Sequence, residues 1–175
     1  VENYPVQLPA IATNDLKVID YEKNREYRIL IGIRGGEVLN FDRFGKKISG
    51  WKFKSNDELT YPIDYFLLNK KDYIVTAGAE GKPYIMNRRG EIRFKMEDKL
   101  PAYAKKRFYL ELSNDINQCK FVTTDESGNF VKLKFNGEKE IINLDLISSE
   151  HMFLYDDINN DRKSDYVLLD SNKLM

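Results

Sequence analysis

An all-β fold made of a repeated four-stranded unit is what the sequence predicts, and three observations carry the prediction. The 175-residue chain holds 11 Tyr and 10 Phe against one Trp, a composition that suits pleated, half-buried surfaces better than helices. Four apolar-rich segments recur at intervals of about 45 residues: Val18-Ile19-Asp20-Tyr21, Ile63-Asp64-Tyr65-Phe66, Phe108-Tyr109-Leu110-Glu111 and Met152-Phe153-Leu154-Tyr155. Paired glycine turns, such as Gly35-Gly36 and Gly45 or Gly81 and Gly90, then punctuate each unit where tight hairpins need positive φ.

The elements follow in order. After each first strand comes a polar turn and a second strand, at Tyr27 to Ile33, Tyr73 to Ala77, Lys120 to Thr124 and Tyr166 to Asp170. Third strands are expected at Val38 to Phe41, Tyr84 to Asn87 and Phe130 to Phe135, and shorter, more polar fourth strands at Ile48 to Phe53, Ile92 to Phe94 and Lys139 to Leu144. Second strands such as Ile29-Leu30-Ile31 are apolar on both faces, as a sheet covered on both sides requires. Only Ala102 to Leu112 could pass as a helix, and its Phe108-Tyr109-Leu110 run also fits a strand.

Four antiparallel strands at this period are the mark of a β-propeller blade, whereas helix-pair solenoids would show 3.6-residue periodicity. The expectation is a single partial propeller domain over 1–175, with blades at about 15–55, 61–96, 105–145 and 150–175. The fourth unit stops soon after its second strand, so the last blade is incomplete. Pro5 to Ala10 could supply one outer strand. An incomplete ring exposes an apolar blade face, which points to a fragment of a longer chain or to a homodimer that completes the propeller.

Charge and composition exclude several classes. Lys plus Arg equals Asp plus Glu at 28 each, so no long-range field draws the chain to nucleic acid. Basic clusters at Lys70-Lys71, Arg88-Arg89 and Lys105-Lys106-Arg107 read as solvated turn charge. Cys119 is the sole cysteine, which rules out an intrachain disulfide and a thiolate metal cluster. No apolar run approaches the length of a membrane span, so membrane insertion is not expected.

The segment Gly36 to Trp51, with a glycine before a strand, an acidic turn at Asp42, a Gly45-Lys46 step and a tryptophan, resembles the blade repeat of quinoprotein-type propellers. The second and third units keep the glycines and lack the tryptophan. The resemblance reaches the scaffold and no cofactor-binding residue, so it implies the scaffolding members of that superfamily, such as the lipoprotein of the outer-membrane assembly machinery, more readily than its dehydrogenases.

Asp157-Ile158-Asn159-Asn160-Asp161-Arg162-Lys163-Ser164-Asp165 resembles the calcium loop of integrin-type FG-GAP repeats. Its chemistry stands without the family: oxygen ligands at positions one, three, five and nine, with a carbonyl at seven, can surround a hard cation. Asp157, Asn159, Asp161 and Asp165 would be side-chain ligands, and Lys163 would offer its carbonyl. Arg162 replaces the usual glycine at position six, at a strain of roughly 1 kcal/mol if it turns left-handed. The competing reading is that these residues make the side-chain-to-backbone bonds of a tight turn. Fragments of the pattern recur at Asp20 to Asn24 and at Asp115 to Asn117.

Catalytic signatures are absent from the sequence. His151 is the sole histidine and sits at a strand start, Asp156 and Asp157 point to opposite faces of a strand, and no glycine elbow flanks Ser113, Ser148 or Ser149. The sequence therefore reads as a non-enzymatic scaffold that presents propeller surfaces to a protein or glycan partner. The alternative is part of a quinone-dependent or glycan-processing propeller enzyme. A structural calcium ion would place it outside the cytoplasm, in the periplasm or on the cell surface.

Overall fold

The structure is a computed structural model, and it describes residues 3–101, 107–144, 148–161 and 163–175. The described residues form fourteen strands and one short 3-10 turn at Ile116–Gln118. The strands make four antiparallel sheets, and the chain divides into two compact units, Val1–Lys99 and Leu100–Met175, with two sheets in each.

In the first unit, β1 (Lys17–Ile19), β2 (Arg28–Gly32) and β3 (Val38–Asp42) form the first sheet, and β4 (Asp64–Leu68), β5 (Lys71–Ala77), β6 (Pro83–Met86) and β7 (Ile92–Phe94) the second. Side chains alternate between faces along a strand, so register decides which residues meet. Leu30 stands opposite Lys17 and Asn40, and Ile74 opposite Tyr65 and Met86. Ile19, Leu30 and Val38 of the first sheet join Ile74 and Met86 of the second in one core, closed by Phe53, Leu59 and Ile63, the residue before β4. Tyr21 meets Tyr65 edge to face at 5.3 Å, the geometry that aromatic quadrupoles favour.

The fourth strand expected at Ile48 to Phe53 does not form as a regular ladder. Lys47 bridges Phe41 and Lys54 bridges Glu37, with a longer stretch between them than β3 offers opposite. That stretch turns at Gly50, φ 80°. The outward carbonyls of Gly36 and Asn40 accept from Ser55 N and Ile48 N, and the carbonyl of Val38 between them accepts from the Trp51 indole N–H at 2.6 Å. A side chain thus satisfies the acceptor that a ladder strand would have taken. Pro5 to Ala10 likewise forms no strand; the N-terminal pairing is a single bridge from Ala12 to Ile33.

Six hairpins share one geometry. At Ile33, Asp42, Gly78, Asn87, Asp125 and Lys134 the backbone N–H donates to the carbonyl four residues on, and the N–H three residues on donates back. The third residue is Gly36, Gly45, Gly81, Gly90, Gly128 or Gly137, with φ between 77° and 97°. This is the three-residue loop with a left-handed bulge residue. Three of the turns add a side-chain acceptor: Asp42 accepts from Phe44 N and Lys46 N, Asn87 from Arg89 N and Glu91 N, and Asp125 from Ser127 N and Asn129 N.

In the second unit, β8 (Tyr109–Glu111), β9 (Lys120–Thr124), β10 (Phe130–Lys134) and β11 (Lys139–Ile142) form the third sheet in the order β11-β10-β9-β8. The fourth holds β12 (Met152–Asp156), β13 (Asp165–Asp170) and β14 (Lys173–Leu174), so the last blade has three strands. Val122 and Phe130 pack with Phe153, Tyr155 and Leu168. Of the segment that could have been helical, Tyr109–Glu111 is strand, while Ala102 to Lys106 lie outside the described residues. No helix among the described residues is long and apolar enough to cross a membrane.

Candidate functional site

The loop between β12 and β13, with Asp165 at the start of β13, carries the residues of the predicted calcium site. Asp157 and Asn159 side chains both accept from Asp161 N, at 3.0 and 2.8 Å. Asp161 accepts from Lys163 N at 2.8 Å, and Asp165 from Ile158 N at 3.2 Å. The oxygens at positions one, three and five are thus turned inward by backbone donors, an ordering that a cation loop and a bare Asx turn have in common. The left-handed residue in the described part of the loop is Asn160, φ 62°; Arg162 lies outside it. Among the described residues no group of three or more His, Cys, Asp or Glu could hold a metal ion. The bonds present serve the turn-making reading and the cation-loop reading alike. The related loop at Asp20 does the same, its carboxylate accepting from Asn24 N and Arg25 N, and Asp115 caps the 3-10 turn by accepting from Asn117 N.

The reactive side chains weighed in the sequence are held in structural roles. His151 is buried, with Nδ1 2.6 Å from the Ser148 carbonyl and Nε2 2.7 Å from the Thr124 hydroxyl. A carbonyl only accepts, so Nδ1 donates, and both ring nitrogens are engaged by the protein. Thr124 is a partner that no sequence signal announced. Cys119 is fully buried, and its sulfur accepts from Ser113 N at 3.3 Å. Burial pushes this thiol up, the Ser113 contact pulls it down and Asp115 raises it again; the net direction favours the unreactive protonated form.

Two charged clusters escaped the sequence reading because their members are far apart in it. Asp72 is buried and accepts from Arg88 Nε at 2.5 Å and from the Tyr65 hydroxyl at 2.9 Å. The other arm of Arg88 reaches Glu22 at 2.6 Å, and its guanidinium lies 4.8 Å from the centre of the Tyr21 ring. Burial first, and the Asp72 contact second, push the Tyr65 hydroxyl up to about 12. Arg88 therefore clamps the first sheet to the second. In the other unit Glu111 receives Lys120 at 2.6 Å, Lys132 at 3.4 Å and the Tyr155 hydroxyl at 2.5 Å. Burial raises its carboxyl, but these partners together hold it below the usual carboxylate range.

A groove of about 580 Å³ runs beside β7, the outermost strand of the second sheet. Tyr84, Ile92, Phe94 and Met96 line it with apolar surface, and Lys82, Lys95 and Lys99 stand around it against the single acid Glu97. Lys99 pairs with Glu80 at 2.9 Å, and the Lys82 ammonium lies 5.8 Å from the centre of the Tyr84 ring. Its volume falls in the range of ligand clefts, and β7 offers an edge to which an extended segment can add.

Repeated antiparallel sheets with almost no helix define the chain as a β-propeller-class protein. A crystal structure of BBS1N in complex with ARL6DN, soaked with lead, superposes with a TM-score of 0.62 at 15% identity, over 95% of this chain. The chain spans about half, 52%, of the length of that structure. No protein-family model matches the chain, and no curated protein does.

Proposed function

We propose that this chain is a non-enzymatic scaffold whose principal docking site is the groove beside β7, and that its partner enters as an extended, acidic protein segment. The observation that carries this reading is an apolar floor at Tyr84, Phe94 and Met96, rimmed by three lysines and bordered by an edge strand. Main-chain pairing to β7 would supply affinity, and the lysines would select charge. The similar BBS1N domain was solved with a protein bound, which supports protein rather than glycan as the partner class. The acidic hairpins and glycine turns are in keeping with quinoprotein-type scaffolding blades.

The test is fluorescence anisotropy with alternating Glu-Val and Lys-Val peptides. The acidic peptide is expected to bind at least about tenfold tighter, roughly 1.4 kcal/mol. Phe94→Ala should weaken it by a similar factor, and Lys82→Glu with Lys95→Glu should invert the preference. Equal binding of both peptides by the native chain would refute the groove as the docking site.

A structural calcium ion at Asp157, Asn159, Asp161, Lys163 and Asp165, and with it an extracytoplasmic setting, belongs to the same proposal. Its support is the alternation of oxygen side chains drawn into one loop; against it stands the lack of three converging carboxylates among the described residues. Calorimetric titration with calcium decides: a structural ion gives one-site binding that Asp161→Ala abolishes, together with a rise in Tm that grows with free calcium. A flat titration removes the ion and the compartment inferred from it.

A further inference from the structure

We propose that the third sheet carries a binding site for a phosphate group, free or at the end of a larger molecule, held by the ammonium groups of Lys120, Lys132 and Lys134. The site lies wholly within the unit Leu100–Met175 and shares no residue with the groove beside β7.

Register brings the three lysines together. Lys120 on β9 stands directly opposite Lys134 on β10, and Lys132, two residues before Lys134, points to the same face. Like charges placed opposite each other in a sheet are destabilising, so each needs a counter-charge. Lys134 has Glu138 at 2.5 Å, and Lys120 has Glu111 at 2.6 Å. Lys132 is served least. Its side chain is only 16% exposed, and the carboxylate it reaches, Glu111 again, lies 3.4 Å away, well beyond the roughly 2.7–2.9 Å of a charge-assisted hydrogen bond. The Glu111 oxygen concerned already accepts from the Tyr155 hydroxyl at 2.5 Å, so it cannot turn to Lys132 without loosening Tyr155. Glu140 stands opposite Lys132 in register, but the two form no ion pair among the described residues. The rings of Phe130 and Tyr155, with centres 5.7 and 5.9 Å from the ammonium, offer no acceptor atom. A cation withdrawn this far from water with unused donors is costly unless an anion meets it.

Lys132 lines a cavity of about 120 Å³ together with Lys120, Lys134, Lys139, Glu138 and Glu140. Every lining residue is charged, so the cavity suits no apolar side chain. It is about four times the ~30 Å³ share of one water and well below the roughly 300 Å³ at which ligand clefts begin, and it therefore takes one compact polar group. A phosphate fits better than a carboxylate: its tetrahedron offers an oxygen to each of three ammonium groups arriving from two strands, where a planar carboxylate offers two. Lysine binds such a group as a point charge on a flexible stem. Engaging Lys134 costs little, because its partner Glu138 is 63% exposed and a surface pair contributes little. Glu138 and Glu140 oppose the anion, so binding rests on the surplus of lysines around the cavity.

Isothermal titration calorimetry of the 175-residue chain with sodium phosphate, at an ionic strength held constant with sodium chloride, tests the site. One-site binding is expected with a Kd below about 1 mM. Lys132→Met keeps an apolar stem beside Phe130 and Tyr155 and should abolish the heat. Lys134→Gln gives up only the exposed pair with Glu138 and should weaken binding about tenfold, roughly 1.4 kcal/mol. Lys46→Gln, at an exposed position in the other unit, should bind as the native chain does. Urea unfolding is the second readout: phosphate at about a hundred times Kd should raise the folded-to-unfolded ratio of this unit about a hundredfold, and the gain should shrink in both site variants. If circular dichroism shows one variant misfolded, the other carries the comparison. Glycerol 3-phosphate binding tighter than inorganic phosphate places the group on a larger molecule, and equal or weaker binding makes free phosphate the ligand. A flat titration of the native chain, undiminished binding by the folded variants, or a phosphate stabilisation equal in native and variant chains, as non-specific exclusion of the salt produces, would each overturn the proposal.

Discussion

Phe130→Ala is expected to destabilise the unit Leu100–Met175 by about 3–5 kcal/mol, the range for removing a buried aromatic ring. Phe130 is fully buried on β10, with Thr124 and Ile142 opposite it in the neighbouring strands. Its ring centre lies 4.5 Å from that of Tyr166, 5.7 Å from Tyr155 and 6.1 Å from Phe153, and the Lys132 ammonium stands 5.7 Å away. Strand backbones on three sides limit collapse into the void, so the cavity term should persist. Phe44→Ala, at a half-exposed hairpin tip, is the control and should change stability by less than about 0.5 kcal/mol. Urea unfolding followed by far-ultraviolet circular dichroism gives the comparison. The chain has two compact units, so the loss should appear in one transition if they unfold separately; an unchanged midpoint would contradict the core assigned to this unit.

Gly36→Ala should be the second large effect, and Gly35→Ala beside it a much smaller one. Both residues have positive φ, 78° and 92°, where an L side chain costs about 1–2 kcal/mol. They differ in their surroundings. A Cβ at Gly36 would lie 2.5 Å from the Ser55 carbonyl oxygen and 2.7 Å from that of Asp57, while one at Gly35 would meet nothing within 4 Å. Two of the crowding atoms are backbone, and Ser55 N donates to the Gly36 carbonyl at 2.9 Å beside the Glu37–Lys54 bridge, so relief must break that pairing. A total of about 3 kcal/mol or more for Gly36→Ala follows, against about 1–2 kcal/mol for Gly35→Ala. Thermal unfolding of the two variants measures the gap directly, and equal losses would mean that the approach of residues 55–57 carries no weight.

The same contrast between neighbouring positions shows where sequence reasoning stops. Glycine at both positions is legible as hairpin punctuation, because positive φ is a local demand. The close approach at Gly36 is invisible, since Ser55 and Asp57 arrive from a strand register that no local pattern sets. Trp51 is a parallel case. Its spacing suited a fourth strand, but the indole bonds to Val38 and displaces the ladder that spacing predicted. The acidic loop after β12 reads equally well as cation ligands or as Asx turns, because both demand oxygen side chains at alternate positions. The groove beside β7 left no signal at all, as Lys82, Phe94 and Lys99 come together only when the chain doubles back.

By itself the sequence determined the all-β class, the blade period, nearly all strand positions and the glycine at each hairpin. Each of these rests on interactions within a few residues: side-chain alternation along a strand, turn stereochemistry, and the spacing at which both recur. Tertiary structure alone decided that Arg88 joins buried Asp72 to Glu22 and so clamps two sheets, and that His151 is spent on Ser148 and Thr124. Those outcomes depend on which sheet stacks on which, and burial, ion pairing and exposure are properties of that stacking rather than of any stretch of chain.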